Sequence, residues 1–396
     1  MIWHLWHTRS MGTMIARPQD STRYPPFSNW STLLPLTEQD IVEKLRKVND
    51  PELHRDLVSL DMVKKVVCDG GHVEVTVELT TPACPMKAQI ENDVKSAIGE
   101  LGDDVADIKV NFTANVRAGS GAAAAKNNPL PDVKHIVAVG AGKGGVGKST
   151  IAVNTAVGLA RAGASVGLLD GDIYGPSLPT MLGIHGQEIT AEDDKMLPFV
   201  VHGIKAMTIG ALTGAEKPLI WRGPMAHGAF RDLATRTLWG PLDYLIIDLP
   251  PGTGDVPLTM SQLLPLTGAV VVCTPQRVAQ DDARRAVRMF QQLNVDVLGI
   301  IENMSYFIGD DGKEYDIFGR GGAQVMAAEM DVPYLGGVPI NMRLRVNSDQ
   351  GNPTANFEDD AQLGAELEVV IKNLAGRISV HVMSEQHQQP TISISE

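Results

Sequence analysis

At 396 residues the chain has room for about two domains of roughly 150 residues, each with its own core. Its 47 acidic residues outnumber 34 Lys and Arg, and the net charge of −13 excludes capture of a polyanion by a generally basic surface. Three widely spaced cysteines (Cys68, Cys84 and Cys273), with no C-x-x-C pair, exclude a disulfide framework and any site that needs four thiols from one chain. They fit a reducing compartment, and cytoplasmic localisation is the expectation.

Residues 1–36 carry basic charge but no continuous apolar stretch of the secretory kind, and with Met11 and Met14 inside them they read as a disordered or untranslated start. No run of 18 apolar residues occurs, so no membrane span is expected. Residues 37–116 read as a small α+β domain. Thr37 caps a helix with acid in its first turn and Ile41, Leu45 and Val48 at helical spacing. Two short strands, 63–68 and 73–79, meet at Asp69-Gly70-Gly71, a hairpin signal. After TTPACP at 80–85, the residues Ile90, Val94, Ala97 and Ile98 mark an amphipathic helix, and 108–112 a further strand. Residues 117–132 (RAGSGAAAAKNNPLPD) read as a flexible linker.

From residue 133 to 376 the pattern changes to strand-length apolar runs at 135–139, 166–169, 204–208, 244–248, 269–273, 297–301 and 334–338, alternating with helical segments. Continuous aliphatic strands of this kind are buried on both faces, which predicts an α/β domain with a mostly parallel sheet covered by helices on both sides. The last residues, 377–396, read as a tail.

The strongest chemical signal is HIVAVGAGKGGVGKST at 135–150, which places G-x-x-x-x-G-K-S at Gly142 to Ser149 between an apolar strand and a helix. Glycines let backbone N–H groups turn inward around a β-phosphate, and the following helix N-terminus adds a favourable dipole. The phosphate-binding set is therefore Gly142, Lys143, Gly144, Gly145, Val146, Gly147, Lys148, Ser149 and Thr150. Lys148 neutralises β- and γ-oxygens, and the Ser149 hydroxyl is a Mg²⁺ ligand. An early second lysine, Lys143, can reach a γ-phosphate, that of a facing subunit in particular; the bland alternative is a solvated loop lysine. Two acidic motifs follow at strand ends. DGDIYGPS brings Asp170 and Asp172, with Asp172 placed to position an attacking water, and DLPPGTGD brings Asp248, placed to hold Mg²⁺ through water. Gly252-Thr253-Gly254 reads as a mobile loop able to sense a γ-phosphate.

With KGGVGKS, DGDIYGPS, DLPPGTGD and ENMSYF in this order, residues 133–375 resemble the Mrp/ApbC iron–sulfur cluster carrier ATPases, a branch of the ParA/MinD-like P-loop NTPases. Residues 37–116, with DPEL at 50–53 and TTPACP, resemble the small iron–sulfur-assembly domain often fused ahead of that ATPase. The resemblance implies a slow ATPase with ATP and Mg as cofactors, and a homodimer in which Lys143 crosses the interface. It implies that Asn303 reads the adenine. It also implies a bridging 4Fe–4S cluster, delivered to apo iron–sulfur proteins and exchanged with cluster scaffold proteins. The cluster ligands expected in this family are a C-x-x-C pair shortly after NMSYF. Residues 304–319 (MSYFIGDDGKEYDIFG) contain no thiol, and Asp310-Asp311 there is most simply a hairpin turn, so those ligands do not carry over.

Among the three thiols, Cys84 stands at the start of a predicted helix, where a lowered pKa suits a reactive or iron-binding sulfur; a small residue packing a strand–helix corner is the equal alternative. Cys68 and Cys273 read as edge or core thiols. The ten histidines show no metal spacing. A positioning or regulatory ATPase of the ParA/MinD kind without a cluster is the competing function, but the charge speaks against DNA and the tail lacks a basic amphipathic face for a membrane.

Overall fold

The computed structural model describes residues 36–118, 128–173, 175–211, 223–252, 254–309 and 311–388. Residues 1–35 of the expected disordered start, most of the expected linker, Thr253, Asp310 and the final residues of the expected tail lie outside them.

The first domain forms as its sequence pattern requires. The helix Glu38–Leu45 opens with a reciprocal capping box, in which Asp40 N donates to Thr37 Oγ1 and Thr37 N to Asp40 Oδ2, satisfying two N–H groups that a helix start otherwise leaves orphaned. Strands β1 (Val63–Asp69) and β2 (His72–Leu79) pair antiparallel around Gly70-Gly71, and β3 (Asp107–Ala114) joins β2 in parallel. Strand β2 buries every second side chain, and Val73, Val75, Val77 and Leu79 pack against Ile90, Val94 and Ile98 of the helix Lys87–Gly99.

The second domain is built on a sheet of β4 (Val133–Gly140), β5 (Val166–Asp170), β8 (Phe199–Val201), β9 (Ile204–Met207), β10 (Leu242–Asp248), β11 (Gly268–Cys273), β12 (Val297–Ile308), β13 (Glu314–Tyr315) and β14 (Tyr334–Ile340); β6 (Ala191–Glu192) and β7 (Lys195–Met196) form a separate small hairpin. The spatial order is β13-β12-β11-β4-β10-β5-β9-β8, with β14 also on β12. All seven expected strands lie in this sheet and pair in parallel; the antiparallel pairs are the edge pairs β12–β13 and β8–β9. Both faces are covered. Tyr244 and Ile246 of β10 join one core with the helix Lys148–Arg161, while Leu245 and Ile247 join the other with the helix Arg277–Gln292. The order turns back on itself at β4, flanked by β10 and β11, and a crevice beyond strand ends at such a switch point is where open α/β sheets bind ligands.

Two boundaries differ from the sequence expectation. The helix Ala361–Gln388 runs straight through residue 376, and Ile378 and Val382 are buried in the second domain's core while Met383 is buried with the small domain. Each such side chain contributes about 1.5–3 kcal/mol of burial, which outweighs the β-branched, polar look of RISVHVM. The expected linker is anchored at both ends: Arg117 Nη2 donates to Leu60 O, and Leu130 is buried against the second core.

The same helix helps to join the domains. Ala83 of TTPACP is buried with the second domain's core, and Tyr244 Oη donates to Thr81 Oγ1 at 3.1 Å in a buried contact. A buried phenol needs such a partner, so this bond fixes where the small domain sits on β10.

Candidate nucleotide site

Strand β4 ends at Gly140, and the loop that follows is shaped by close approaches. At Gly142 a Cβ would overlap the backbone of Asp282, so only glycine lets the helix Arg277–Gln292 lie against the loop. Gly147, the residue before the helix Lys148–Arg161, has φ 80°, and a Cβ there would overlap Asn303 Nδ2. Val146 is buried, and its carbonyl accepts a 2.8 Å bond from Asn303 Nδ2. Asn303 thus holds the loop from beneath. It also lines, with Gly147, Thr150, Met304, Ile340 and Asn341, a cavity of about 700 Å³, a size typical of small-molecule sites. Gly144 and Gly145 are exposed. Lys143 is half-buried and, among the described residues, has no ion-pair partner.

The charged centre lies under the loop. Lys148, 6 % exposed, donates to Asp248 Oδ1 at 2.6 Å and to Ser149 Oγ at 3.2 Å, and stands 3.8 Å from Asp172 Oδ2. Parallel pairing puts Asp248 in register with Asp170 on β5, so two buried carboxylates are neighbours by strand geometry alone. Asp170 Oδ2 accepts from Thr208 Oγ1 at 2.8 Å, and its Oδ1 from Asp172 N at 3.1 Å. Asp248 Oδ2 is buried with no hydrogen-bond partner among the described residues. Three carboxylates therefore face one ammonium. Burial, with repulsion from Asp248, pushes the Asp170 carboxyl up to about 8, and burial likewise raises Asp248 against the pull of Lys148.

The sequence motifs thus meet in space: Lys148, Ser149, Asp172 and Asp248 share one centre. Asp170 is the member to which sequence analysis assigned no task, although DGDIYGPS contains it. An orphaned buried carboxylate oxygen beside a hydroxyl is a hard oxygen donor set, and it fits Mg²⁺.

The cysteines are placed differently from expectation. The helix expected to begin at Cys84 begins at Lys87, and Cys84 is half-buried in the preceding turn. Its thiol is raised to about 11, by burial first and then by Glu52 and Asp50, despite N–H groups of Met86 and Lys87 that pull the other way. The expected lowering is therefore overturned, because desolvation and two acids outweigh the helix start. Cys84 lines an inter-domain cavity of about 500 Å³ with Lys87, Arg161, Phe357, Ile371 and Lys372. Cys68 Sγ contacts Leu36 O, and Cys273 is buried with its thiol pushed up to about 12. In 304–319 the chain forms the expected hairpin: Phe307 pairs with Tyr315, and Asp311 accepts from Lys313 N and from the Tyr315 hydroxyl. Among the described residues no three His, Cys, Asp or Glu side chains are grouped so as to hold a metal ion.

Comparison with known proteins agrees with this layout. Residues 132–375 match the family model described as NUBPL iron-transfer P-loop NTPase, and residues 38–110 that of the iron–sulfur cluster assembly proteins. The iron–sulfur cluster carrier protein of Deinococcus radiodurans is 49% identical over 351 residues, covering 88% of this chain and 98% of that protein. The one from Synechocystis is 45% identical over 357 residues, covering 87% and 99%. Among solved structures, a nucleotide-binding protein from Archaeoglobus fulgidus in complex with ADP is 38% identical with a TM-score of 0.52, covering 57% of this chain and 89% of that one.

The raised Asp170 has a consequence for stability. Between about pH 4 and about 8 the folded chain holds a proton that the unfolded carboxyl, near its ordinary 3.8, has released. Stability of the nucleotide-free protein should therefore fall as pH rises through that window. Denaturant midpoints for the wild type and Asp170→Asn check this: the variant should show a flatter pH dependence, and an identical slope would refute the shift.

Proposed function

Since the chain belongs to the family of iron-transfer P-loop NTPases, we propose that it is a slow Mg-dependent ATPase that carries iron–sulfur clusters to apoproteins. The observation that carries the nucleotide half is the orphaned Asp248 oxygen beside Lys148 and Ser149. Ser149 and Asp248 are the residues that would hold Mg²⁺, which would neutralise the charge that builds on phosphate oxygens. The backbone N–H groups of Gly142 to Thr150 bind the phosphates. Lys148 turns from Asp248 to the β- and γ-oxygens, and Asp172 orients the water. Asn303 steadies the loop through Val146 and borders the cavity that receives the base. Lys143, with no ion-pair partner among the described residues, reaches the nucleotide of a second copy in a homodimer.

The carrier half rests on likeness to proteins named iron–sulfur cluster carriers, matched over nearly their whole length. The cluster is cargo, and Cys84 is the proposed contact thiol, with the remaining ligands supplied by a second chain, a partner or a small thiol. A thiol raised to about 11 is protonated at neutral pH, so iron bound there must displace a proton and loading should strengthen as pH rises. Apo iron–sulfur proteins and scaffold proteins are the proposed partners, and the cytoplasm the proposed setting. No helix among the described residues is long and apolar enough to cross a membrane. The competing reading, a positioning ATPase on DNA or a membrane, is opposed by the net charge of −13 and by a C-terminal helix that spends Leu363, Leu367, Ile371, Leu374, Ile378 and Val382 on an internal core.

Lys148→Ala should lower ATP turnover by roughly 10²-fold or more, measured as phosphate release alongside a melting curve; wild-type turnover would sink the site assignment. Anaerobic reconstitution, with iron and sulfide counted per chain, tests the cargo. Cys84→Ser should load less than the wild type, and equal loading would clear Cys84 of the role.

A further inference from the structure

We propose that Thr208 is a positioning residue for hydrolysis: it fixes Asp170, and Asp170 fixes Asp172 over the phosphate site. The inference rests on the ATPase reading of that site. Thr208 directly follows β9, is fully buried, and belongs to no nucleotide-binding motif.

The direction of its hydrogen bonding is set by its neighbours. Gly210 N donates to Thr208 Oγ1 at 3.1 Å, which occupies an acceptor position of the hydroxyl. Its proton is then directed to Asp170 Oδ2, 2.8 Å away. Asp170 Oδ1 in turn accepts Asp172 N at 3.1 Å, so the carboxylate ties β9 to the backbone of the residue proposed to orient water. Asp172 Oδ1 accepts Gly175 N at 3.3 Å, and its Oδ2 stands 3.8 Å from Lys148 Nζ. The relay therefore runs from a strand-end hydroxyl, through a buried carboxylate, to the acid that faces the ammonium.

Among the described residues nothing else is placed to do this. Asp170 is buried and in register with Asp248, a second acid, and Thr208 is the only side-chain donor among the described residues that bonds it. Without the hydroxyl, one oxygen of Asp170 has no partner in a site where a partner is needed. The carboxylate can then turn, and Asp172 N loses its fixed acceptor.

The test compares Thr208→Val, which keeps the shape and removes the donor, with Thr208→Ser, which keeps the donor. T208V should lower kcat for ATP by about tenfold or more while KM changes less than about threefold, because binding by the phosphate loop is untouched. T208S should stay within about threefold of wild type in kcat. A role confined to core packing would lower melting temperature without that split. Wild-type kcat in T208V, or a T208S as slow as T208V, overturns the proposal. Should T208V not fold, Thr208→Cys, a weaker donor in the same place, takes its part; wild-type kcat there overturns the proposal equally. A wild type that turns over no ATP fails the ATPase reading instead. Amide exchange then decides: faster exchange at Asp172 in T208V but not in T208S upholds the relay, and unchanged exchange in T208V overturns it.

Discussion

The structure turns on the buried ion pair between Lys148 and Asp248. Placing Asp248 at the end of β10 and Asp170 at the end of β5, in register, forces two acids together under a loop that supplies a single ammonium. Charges taken from water cost several kcal/mol each unless they are matched. Lys148 matches one, Thr208 and the Asp172 amide soften another, and Asp248 Oδ2 is left over. In the proposed reading a divalent cation offsets that excess; burial and the neighbouring acids raise both carboxyls.

The elements that carry this centre also reach the small domain. The helix Lys148–Arg161 starts at the phosphate loop and, about 20 Å on, ends at the cavity that Cys84 lines. Strand β10 carries Asp248 at one end and Tyr244 four residues earlier, where its hydroxyl meets Thr81 of the loop containing Cys84. Phosphate site and thiol are thus held by the same two rigid elements. The long C-terminal helix closes the arrangement from the other side, burying side chains in both cores.

Much of this was legible in the sequence. The seven apolar runs are strands because a doubly covered sheet demands aliphatic residues on both faces, and Gly142 and Gly147 mark places where backbone or Asn303 comes too close for a Cβ. What escaped depends on tertiary context. RISVHVM carries β-branched residues, yet burial of Ile378, Val382 and Met383 makes it helix. Cys84 follows TTPA as a helix start would, but Pro85 and Met86 delay the helix; burial raises the thiol, helped by Glu52 and Asp50 over 30 residues upstream. Asn303 and Thr208 act through single hydrogen bonds to residues far away in the chain, and periodicity carries no signal of those.

The central claim is that the acid-rich centre is completed by Mg²⁺ together with nucleotide. Thermal unfolding of the full chain in ATP with Mg²⁺, in ATP with EDTA and in Mg²⁺ alone tests it most directly. Saturation at about 100-fold over Kd corresponds to roughly 2.7 kcal/mol of added stability. The account predicts that ATP with Mg²⁺ gives the full rise in melting temperature, that EDTA removes most of it, and that Asp248→Asn loses the Mg²⁺-dependent share. An equal rise in EDTA, or an undiminished Mg²⁺ effect in D248N, would contradict it.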